Sequence, residues 1–557
     1  MDFYNIALGL VVAAAFGYLA KVLKQPLLVG YLFAGIFIGL TRFLGNSHSF
    51  DELGKIGITL LLFLLGLEMN LKELPTIGKA AFMTAIGQII LTTSLGMILA
   101  IILGYSVIGS LYIGIALSFS STIIIVKLLS DKSDLGSLHG RLSVGLLLVQ
   151  DFVAIGVLIV LTAIGDGASG FYPILVILLK MVFLIVSVYF LSKKLIVIIF
   201  EKYFSQPVEL LFVVSIAWAL GIAAFVGGPF GLTIEIGGFL AGLALSNLPE
   251  HLQIVSKAKP LRDFFVILFF LFLGTQFVSA SQIWAIIPKA LIFSIFVLIA
   301  DPIAVLLLLG LFGYKKKTSF LTGITVAQIS EFSFIIMAAG VTLGIVTSSD
   351  ATMMYLVGIF TMTLSTYLIM NSEKLYLKLK KYLNVFEKEH SLEISSKSTV
   401  SGLKNHIVLI GCDRTGTSIH KYLDRKSIQH LIADINPSVI SRLSGEKANI
   451  IFGDVEDLDI LSEMRLPQAK MMISTVNVLD TNLVVLNYLK TEGIKIIKIV
   501  KALNKHDALQ LYDAGADYVI VPEIAAGDHL KHLLMHYDYN SAKYAKLGKL
   551  NYAGMIK

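Results

Sequence analysis

The sequence predicts a polytopic α-helical membrane protein that continues into a smaller α/β domain of Rossmann-like type. The 557 residues are 56% hydrophobic and only 15% charged, whereas a soluble domain is about 25% charged. Towards the carboxyl end, short β-rich runs alternate with helical segments, a pattern typical of a parallel, doubly wound sheet. We therefore expect a transmembrane domain over 1–371, a linker over 372–403 and a cytoplasmic α/β domain over 404–557.

The first part contains about thirteen apolar segments, each close to the roughly 20 helical residues that cross a hydrocarbon core. Their odd number would place the two chain ends on opposite sides of the membrane. The approximate limits are 3–20, 26–44, 53–69, 80–104, 108–129, 142–163, 171–199, 208–227, 231–248, 264–279, 283–312, 319–342 and 350–370.

Basic residues in the short loops predict the orientation, since Lys and Arg accumulate on the cytoplasmic side. One side carries sixteen of them, including Lys315 to Lys317, and the other side only Arg42, Lys55 and Lys289. We therefore expect the amino terminus outside and the α/β domain in the cytoplasm. The net charge of +7 reflects this bias and does not indicate a nucleic-acid partner.

An amide and a carboxylate stand side by side at Gln150-Asp151, within the apolar run 142–161. A carboxylate at the bilayer centre is costly and marks a functional site by default. We therefore expect Gln150 and Asp151 to belong to a functional site. The alternative is a buried polar pair that serves helix packing.

Two further segments interrupt apolar spans with polar residues. Ser118 to Thr122 places four hydroxyl side chains in the fifth span, and 325–333 interrupts the twelfth with Gln328, Ser330 and Glu331. Polar breaks at related positions in two halves indicate a midplane ion site. Small hydroxyl residues also mark close helix contacts, and Glu331 is expected to have a structural role in preference to an ion-binding one. The candidate ion-binding residues are Gln150, Asp151, Ser120, Ser121, Thr122, Ser330, Glu331 and Asp301.

The α/β domain begins with a strand at 406–410, a turn from Gly411 to Gly416 and a helix, followed by a second strand that ends in Asp434. This order and spacing resemble a dinucleotide-binding fingerprint with its ribose-binding acid. Asp413 replaces the middle glycine, which favours an AMP-like ligand over a full dinucleotide; Asp413 as a helix cap and an empty docking module are the alternatives. The candidate nucleotide-binding residues are Gly411, Cys412, Asp413, Arg414, Thr415, Gly416, Asp434, Ile435, Asp454, Val455, Thr475, Val476 and Asn477.

These motifs, together with Leu65 to Glu68 and Gln328 to Phe332, resemble the monovalent cation:proton antiporter-2 family, in particular its Kef-type potassium/proton systems. The resemblance covers nearly the whole chain, and the α/β domain resembles the amino-terminal lobe of regulator-of-potassium-conductance (TrkA-N) modules. It implies inverted repeats with two crossed, broken helices, and a homodimer. It also implies that a monovalent cation, K+ or Na+, binds at Asp151 with Gln150 as a neutral ligand, and that potassium is exchanged for protons there by alternating access. Kef-type systems respond to glutathione and its adducts as well as to nucleotide. The nucleotide expected here is AMP or another adenine nucleotide, and an ancillary cytoplasmic regulator is a further expected partner.

One position departs from the resemblance. Many relatives carry a basic residue on the eleventh span, whereas this chain has Asp301 before Pro302. Either Lys180, Lys127 or Arg262 stands in for it, or the site works without a basic partner. A structural role for Asp301 is slightly favoured, because Pro302 frees backbone groups that a nearby side chain can satisfy.

The neutral Gln150 beside Asp151 favours electroneutral, one-for-one exchange. The nearest alternative is a sodium/proton antiporter. A ligand-gated potassium channel is disfavoured because the sequence contains no Thr-Val-Gly-Tyr-Gly-like filter, and a membrane enzyme that uses a dinucleotide is disfavoured by Asp413. The expected location is a bacterial or archaeal cytoplasmic (inner) membrane, and no covalent cofactor is expected.

Overall fold

A computed structural model describes residues 3–41, 48–68, 78–132, 134–165, 208–228, 234–246, 248, 250–275, 280–386, 403–436, 439, 442–443, 449–538 and 540–556. They belong to two compact units. One unit is helical and apolar, and the other is built on a single parallel sheet. Each unit is described by itself.

The helices of the first unit are long and mostly apolar. They are α1 (Phe3–Val22), α2 (Leu27–Thr41), α3 (His48–Glu68), α4 (Lys79–Ile102), α5 (Val107–Leu117), α6 (Thr122–Asp131), α7 (Leu138–Gly165), α8 (Val208–Gly227), α9 (Ile234–Leu245), α10 (His251–Thr275), α11 (Ala280–Leu311), α12 (Lys316–Thr325), α13 (Glu331–Thr342), α14 (Ser348–Met370) and α15 (Ser372–Leu379).

Seven helical stretches in the described part of the chain are long and apolar enough to cross a membrane. They include Val107–Asp131, which comprises α5 and α6, and Trp284–Leu311 within α11. Shorter apolar helices such as Leu27–Thr41 and Glu331–Thr342 accompany them. A polytopic membrane domain is therefore confirmed, and the total of thirteen spans stays a prediction, because the expected span 171–199 lies outside the described residues.

The fifth and twelfth predicted spans are both interrupted helices. The fifth consists of α5 and α6, which are separated by residues 118–121, and the twelfth consists of α12 and α13, which are separated by residues 326–330. Helix α10 begins at His251, ahead of the predicted limit of 264. The basic residues Lys257, Lys259 and Arg262 therefore lie on the helix and not in a loop.

After the last long helix, α15 and a 3-10 turn at Tyr382–Phe386 occupy the start of the predicted linker. The predicted linker thus begins with a short helix over Ser372–Leu379. The rest of the predicted linker, 387–402, lies outside the described residues.

The second unit contains six parallel strands in the order β3-β2-β1-β4-β5-β6, with helices between them. This order is that of doubly wound nucleotide-binding folds, in which ligands bind beyond the carboxyl ends of the strands where the order reverses. Here that position lies between β1 and β4. The elements are β1 (His406–Ile410), α16 (Arg414–Arg425), β2 (His430–Asp434), β3 (Asn449–Phe452), α17 (Leu458–Glu463), β4 (Ala469–Ser474), α18 (Leu479–Thr491), β5 (Ile497–Lys501), α19 (Lys505–Asp513), β6 (Tyr518–Ile520), α20 (Pro522–Tyr537) and α21 (Ser541–Ile556).

Candidate functional site

The two helix breaks of the membrane unit touch each other. The hydroxyl of Ser120, in the break between α5 and α6, donates to the carbonyl oxygen of Val326, in the break between α12 and α13, at 2.7 Å. Both residues are buried. Irregular backbone is tolerated at membrane depth where protein surrounds it or a cavity needs its polar groups. The contact between the breaks therefore defines the polar centre of this unit.

Local hydrogen bonds explain why the second break forms at this position. Ser330 precedes α13 and accepts from the backbone N–H of Phe332, while Ser333 accepts from the backbone N–H of Ser330. Such reciprocal capping satisfies amide groups that a helix start leaves free. Thr361 of α14 also accepts from the N–H of Ile329. The polar residues seen in the sequence are thus the groups that complete the interrupted backbone.

Asp151 of α7 lies against the first break. Its Oδ2 accepts from the hydroxyl of Thr122, the first residue of α6, at 2.9 Å, and only 5% of the residue is exposed. The amino-terminal end of a helix carries partial positive charge, which favours a carboxylate nearby. Glu331, the first residue of α13, interacts electrostatically with Asp151. The arrangement brings two carboxylates to the two helix breaks.

Gln150 reaches the same break through its amide. Its Oε1 accepts from the backbone N–H of Ser120 at 3.2 Å, and its Nε2 donates to Oε1 of Gln88 on α4 at 2.6 Å. Gln88 is absent from the predicted residues. The sequence does contain a signal for Gln88, which is an amide side chain inside the apolar span 80–104. Polar side chains within the membrane form hydrogen bonds between helices.

Asp301 of α11 is fully buried and lies at the other end of this amide pair. Its Oδ1 accepts from Nε2 of Gln88 at 2.9 Å and from the hydroxyl of Thr92 at 2.6 Å. The expectation that Asp301 satisfies backbone groups freed by Pro302 is therefore wrong: both donors are side chains of α4. Of the basic residues considered as stand-ins, Arg262 bonds to Asp263, and Lys180 lies outside the described residues.

The remaining predicted ion-site residues lie in or beside the breaks. Ser330 donates to the carboxylate of Glu331 at 3.2 Å, so the observed bond of Glu331 is local, and its expected structural role stays a prediction. Ser121 is fully buried, and its hydroxyl oxygen has no hydrogen-bond partner among the residues that the structure describes. This oxygen is available to a small cation.

A second candidate site lies beyond the carboxyl end of β1 in the sheet unit. Gly411 adopts a φ of +81°, which favours glycine. A Cβ on Gly416 would collide with the carbonyl oxygen of Gly411, so glycine is required for this close packing of loop and helix. The hydroxyl of Thr475, at the end of β4, donates to the same oxygen at 3.0 Å. The predicted turn therefore forms at the point where the strand order reverses.

Asp434 uses both carboxylate oxygens to hold this turn. They accept from the backbone N–H groups of Cys412 at 2.6 Å and Asn436 at 2.8 Å. Asp413 is the N-cap residue of α16, the position that the capping alternative gives it, although its side chain makes no capping hydrogen bond. Arg442, which the sequence reasoning missed, donates to the carbonyl oxygen of Cys412 and to the hydroxyl of Thr417, both at 3.0 Å.

The other predicted nucleotide-site residues surround this edge of the sheet or belong to its loops. Asp454 accepts from the N–H of Glu456, and the carbonyl oxygen of Val476 accepts from Asn482. The exposure of the others varies: Val455 is buried, Ile435 is half-buried, and Thr415 and Asn477 are exposed. Arg414 begins α16.

Comparison with known families separates the same two parts. Residues 10–370 match the family described as sodium/hydrogen exchanger, transmembrane, and residues 407–522 match the TrkA-N domain. The first match covers well over half of the chain.

Similar proteins include YbaL of Escherichia coli (strain K12), whose name describes a cation/proton antiporter; it is 28% identical over 84% of this chain and 85% of its own length. K(+) efflux antiporter 5 of Arabidopsis thaliana is 30% identical over 60% of each chain. The solved structure of the sodium proton antiporter MjNhaP1 from Methanocaldococcus jannaschii, 17% identical, matches with a TM-score of 0.53 over 68% of this chain and 98% of its own. That likeness shows the fold of the membrane part.

Proposed function

Because the chain belongs to the sodium/hydrogen exchanger family and carries a TrkA-N domain, we propose that it exchanges a monovalent cation for protons across a membrane by alternating access at Asp151. One observation carries the proposal: Asp151 is buried against the start of α6, where the two helix breaks meet. The resemblance drawn from the sequence is confirmed at the level of the family, and the matched relatives are transporters by name.

The chemistry at Asp151 is competition between two positively charged occupants. An ionised carboxylate in the membrane interior is costly unless a cation or a proton neutralises it. Either occupant neutralises the charge of Asp151. The site therefore changes its exposure from one side of the membrane to the other with a cation or a proton bound. Ser121, Thr122 and the carbonyl oxygens of the breaks supply neutral oxygen ligands, which suit alkali cations. Exchange follows because the empty, charged site is the unfavourable state.

Potassium is the proposed cation and electroneutral exchange the proposed stoichiometry. The 30% sequence identity to a protein named K(+) efflux antiporter 5 supports potassium as the cation. The neutral amide of Gln150 supports a stoichiometry in which only one charge, that of Asp151, is neutralised in each step. The neighbouring Glu331 takes no part in this stoichiometry if it keeps one charge state throughout the cycle. Sodium/proton exchange is the second candidate, favoured by the family description and by the fold of a sodium proton antiporter.

The test is exchange by the purified protein in proteoliposomes. With a proton gradient imposed, potassium addition should restore luminal pH in the native protein, independently of membrane voltage, and Asp151→Asn should reduce the rate to that of protein-free vesicles. Asp350→Asn is the matched control, because Asp350 is a half-buried capping-box carboxylate in the first turn of α14, and the amide oxygen of asparagine can still accept from the N–H of Thr347. Full activity in Asp151→Asn would contradict the proposal, and recovery with sodium alone would leave exchange in place and replace potassium.

Regulation is the proposed role of the sheet unit, with AMP or another adenine nucleotide bound beside the turn from Gly411 to Gly416. The glycine geometry at 411 and 416 supports this. A ligand changes transport only if it binds one transport state more tightly than the other. The basic residues on one side of the membrane part support a cytoplasmic position for this unit and an external amino terminus. A homodimer in a bacterial or archaeal cytoplasmic membrane is part of the same proposal.

A further inference from the structure

Three buried side chains from three helices form a continuous hydrogen-bonded row in the membrane unit. Asp301 on α11 accepts from Gln88 on α4, and Gln88 accepts from Gln150 on α7. Gln150 in turn accepts from the backbone N–H of Ser120 in the first helix break. Gln88, Gln150 and Asp301 are at most 1% exposed. The row therefore connects a carboxylate on α11 with the break that contacts Asp151.

The direction of the row is fixed by the groups around Gln88. Its Nε2 faces three oxygen atoms, which are Oδ1 of Asp301 at 2.9 Å, the carbonyl of Ser118 at 3.1 Å and the hydroxyl of Thr92 at 3.2 Å. The Thr92 hydroxyl gives its own proton to Asp301, so it offers a lone pair to Gln88. An amide oxygen turned into this position would meet acceptors and lose its bonds.

The orientation of Gln88 determines the orientation of Gln150. Because Nε2 of Gln88 points at Asp301, its Oε1 points at Gln150 and can only accept there. Gln150 therefore directs its Nε2 to Gln88 and its Oε1 to the helix break. The reversed amide of Gln150 would place two donors, its own and the N–H of Ser120, against each other.

We propose that Asp301, acting through Gln88, is a positioning residue that holds the carbonyl oxygen of Gln150 towards the helix break, where it can serve as a neutral ligand for the transported cation. This inference rests on the proposed exchange at Asp151 and names a determinant of its cation affinity. Asp301 thus occupies α11 in place of a basic partner. It orients the site by accepting hydrogen bonds, and it forms no ion pair with Asp151.

The two carboxylate oxygens of Asp301 have different surroundings, and this difference allows a test that separates a positioning role from ion transport. Oδ1 takes part in the row, whereas Oδ2 is buried and has no hydrogen-bond partner in the described part of the chain. Asparagine keeps an accepting oxygen at the first position and changes only the second. A positioning role therefore tolerates Asp301→Asn, whereas a role as a carrier of cation or proton does not.

Four variants test the proposal by the apparent KM for potassium and the maximal rate in proteoliposomes. Gln88→Leu and Asp301→Leu should raise KM about tenfold, the effect of one well-placed hydrogen bond to a charged group, with a maximal rate close to native. Asp301→Asn should stay near the native KM. Ser294→Ala is the matched control, because it removes a buried hydroxyl of α11 that lies outside the row and donates to the carbonyl oxygen of Ala290 on the same helix.

A second variant keeps the test decisive if Gln88→Leu does not fold. Gln88→Met keeps a long, unbranched side chain but offers no N–H to Asp301 and no amide oxygen to Gln150. It should raise KM as Gln88→Leu does. A native KM in folded Gln88→Leu or Gln88→Met, or loss of exchange in Asp301→Asn, would overturn the inference. An inactive native protein would instead contradict the proposed exchange itself.

Discussion

At the scale of single residues, the buried aspartates Asp151 and Asp301 of the membrane unit are bonded to side chains of other helices. Asp151 accepts from Thr122, and Asp301 accepts from Gln88 and Thr92. A buried polar group without a partner costs about 1–3 kcal/mol, and more when it is charged. The pairing of these groups is therefore a condition for the stability of the unit as well as for its proposed activity.

The sheet unit contains a histidine that should make its stability depend on pH. His406, the first residue of β1, is fully buried and bonds through Nε2 to the carbonyl of Met464 at 3.2 Å. Burial lowers the pKa of His406, and the charge of Arg465 lowers it further, while the Met464 carbonyl opposes the shift. The folded unit therefore holds this histidine neutral at a pH where the unfolded chain protonates it.

We expect the sheet unit to lose stability as the pH falls below about 6.5, the ordinary pKa of histidine. The unfolded state binds more protons in that range, so the free energy of unfolding falls with pH, by no more than about 1.4 kcal/mol per unit for one group. Above about pH 7.5 His406 should contribute no dependence. His406→Gln keeps a donor for Met464 and does not titrate, so calorimetry of the full-length protein from about pH 8 to about pH 5.5 should show a shallower dependence in this variant. Equal slopes would contradict the expectation.

The residue types at the candidate sites are predictable from the sequence, and their partners are not. Asp151 and Asp301 are visible because a carboxylate in an apolar run is unusual. Their bonding partners depend on how the helices pack: Gln88 lies 213 positions from Asp301 in the chain. Because the sequence shows only neighbours along the chain, it suggests a role for Asp301 beside Pro302. The hydrogen-bond donors of Asp301 in the structure belong to α4.

At the scale of elements, the two interrupted helices are the most predictable feature. Clusters of Ser, Thr, Gln and Glu inside apolar spans place the breaks within a few residues of where α5, α6, α12 and α13 end or begin. The start of α10 is less predictable, because charged residues at 257–263 look like a loop when a helix continues past the membrane core. At such an end the helix is longer than the apolar segment that is predicted to cross the membrane.

Close packing of α3 and α9 gives a prediction at this scale. Glycines at 66, 238 and 242 lie where a side chain would press on the backbone of the facing helix; at Gly242 a Cβ would collide with the carbonyl oxygen of Phe63. Small residues four positions apart allow such backbone approach in membranes. Gly242→Ala should therefore destabilise the membrane unit by about 1–3 kcal/mol, as overpacking does.

Thermal unfolding of the purified protein in detergent would measure this effect. Gly221→Ala on α8 is the matched control, since a Cβ there meets nothing within 4 Å, and alanine in a helix should be neutral or stabilising by about 0.5–1 kcal/mol. Equal melting temperatures for the two variants would show that α3 and α9 can separate without cost.

At the scale of the whole molecule, the sequence predicts two parts of different physical character, and comparisons identify both families. The parallel, doubly wound sheet follows from the alternation of strands and helices. The register of the strands and the hydrogen bonds of Asp434 do not follow from pattern. The fingerprint assigns Asp434 to ribose, whereas its two oxygens are engaged with the N–H groups of Cys412 and Asn436; a ligand would have to use its remaining lone pairs.

The two-part organisation yields the last prediction, which concerns coupling between nucleotide binding and exchange. Gly416→Ala should distort the turn, because its Cβ would collide with the carbonyl oxygen of Gly411. Gly527→Ala on α20 is the matched control, with nothing within 4 Å of the added Cβ. In the full-length native protein and the control, calorimetric titration should detect AMP binding, and AMP inside proteoliposomes should change the exchange rate.

In Gly416→Ala we expect at least a tenfold loss of AMP affinity, or about 1.4 kcal/mol, and an exchange rate without AMP equal to native. NAD should bind more weakly than AMP to the native protein, because the Asp413 carboxylate stands where the fingerprint has the glycine that lets a pyrophosphate approach. Native AMP affinity in Gly416→Ala would remove the turn from the binding site. Binding that leaves the exchange rate unchanged would show that the nucleotide has equal affinity for both transport states, since a ligand shifts an equilibrium only by its differential affinity.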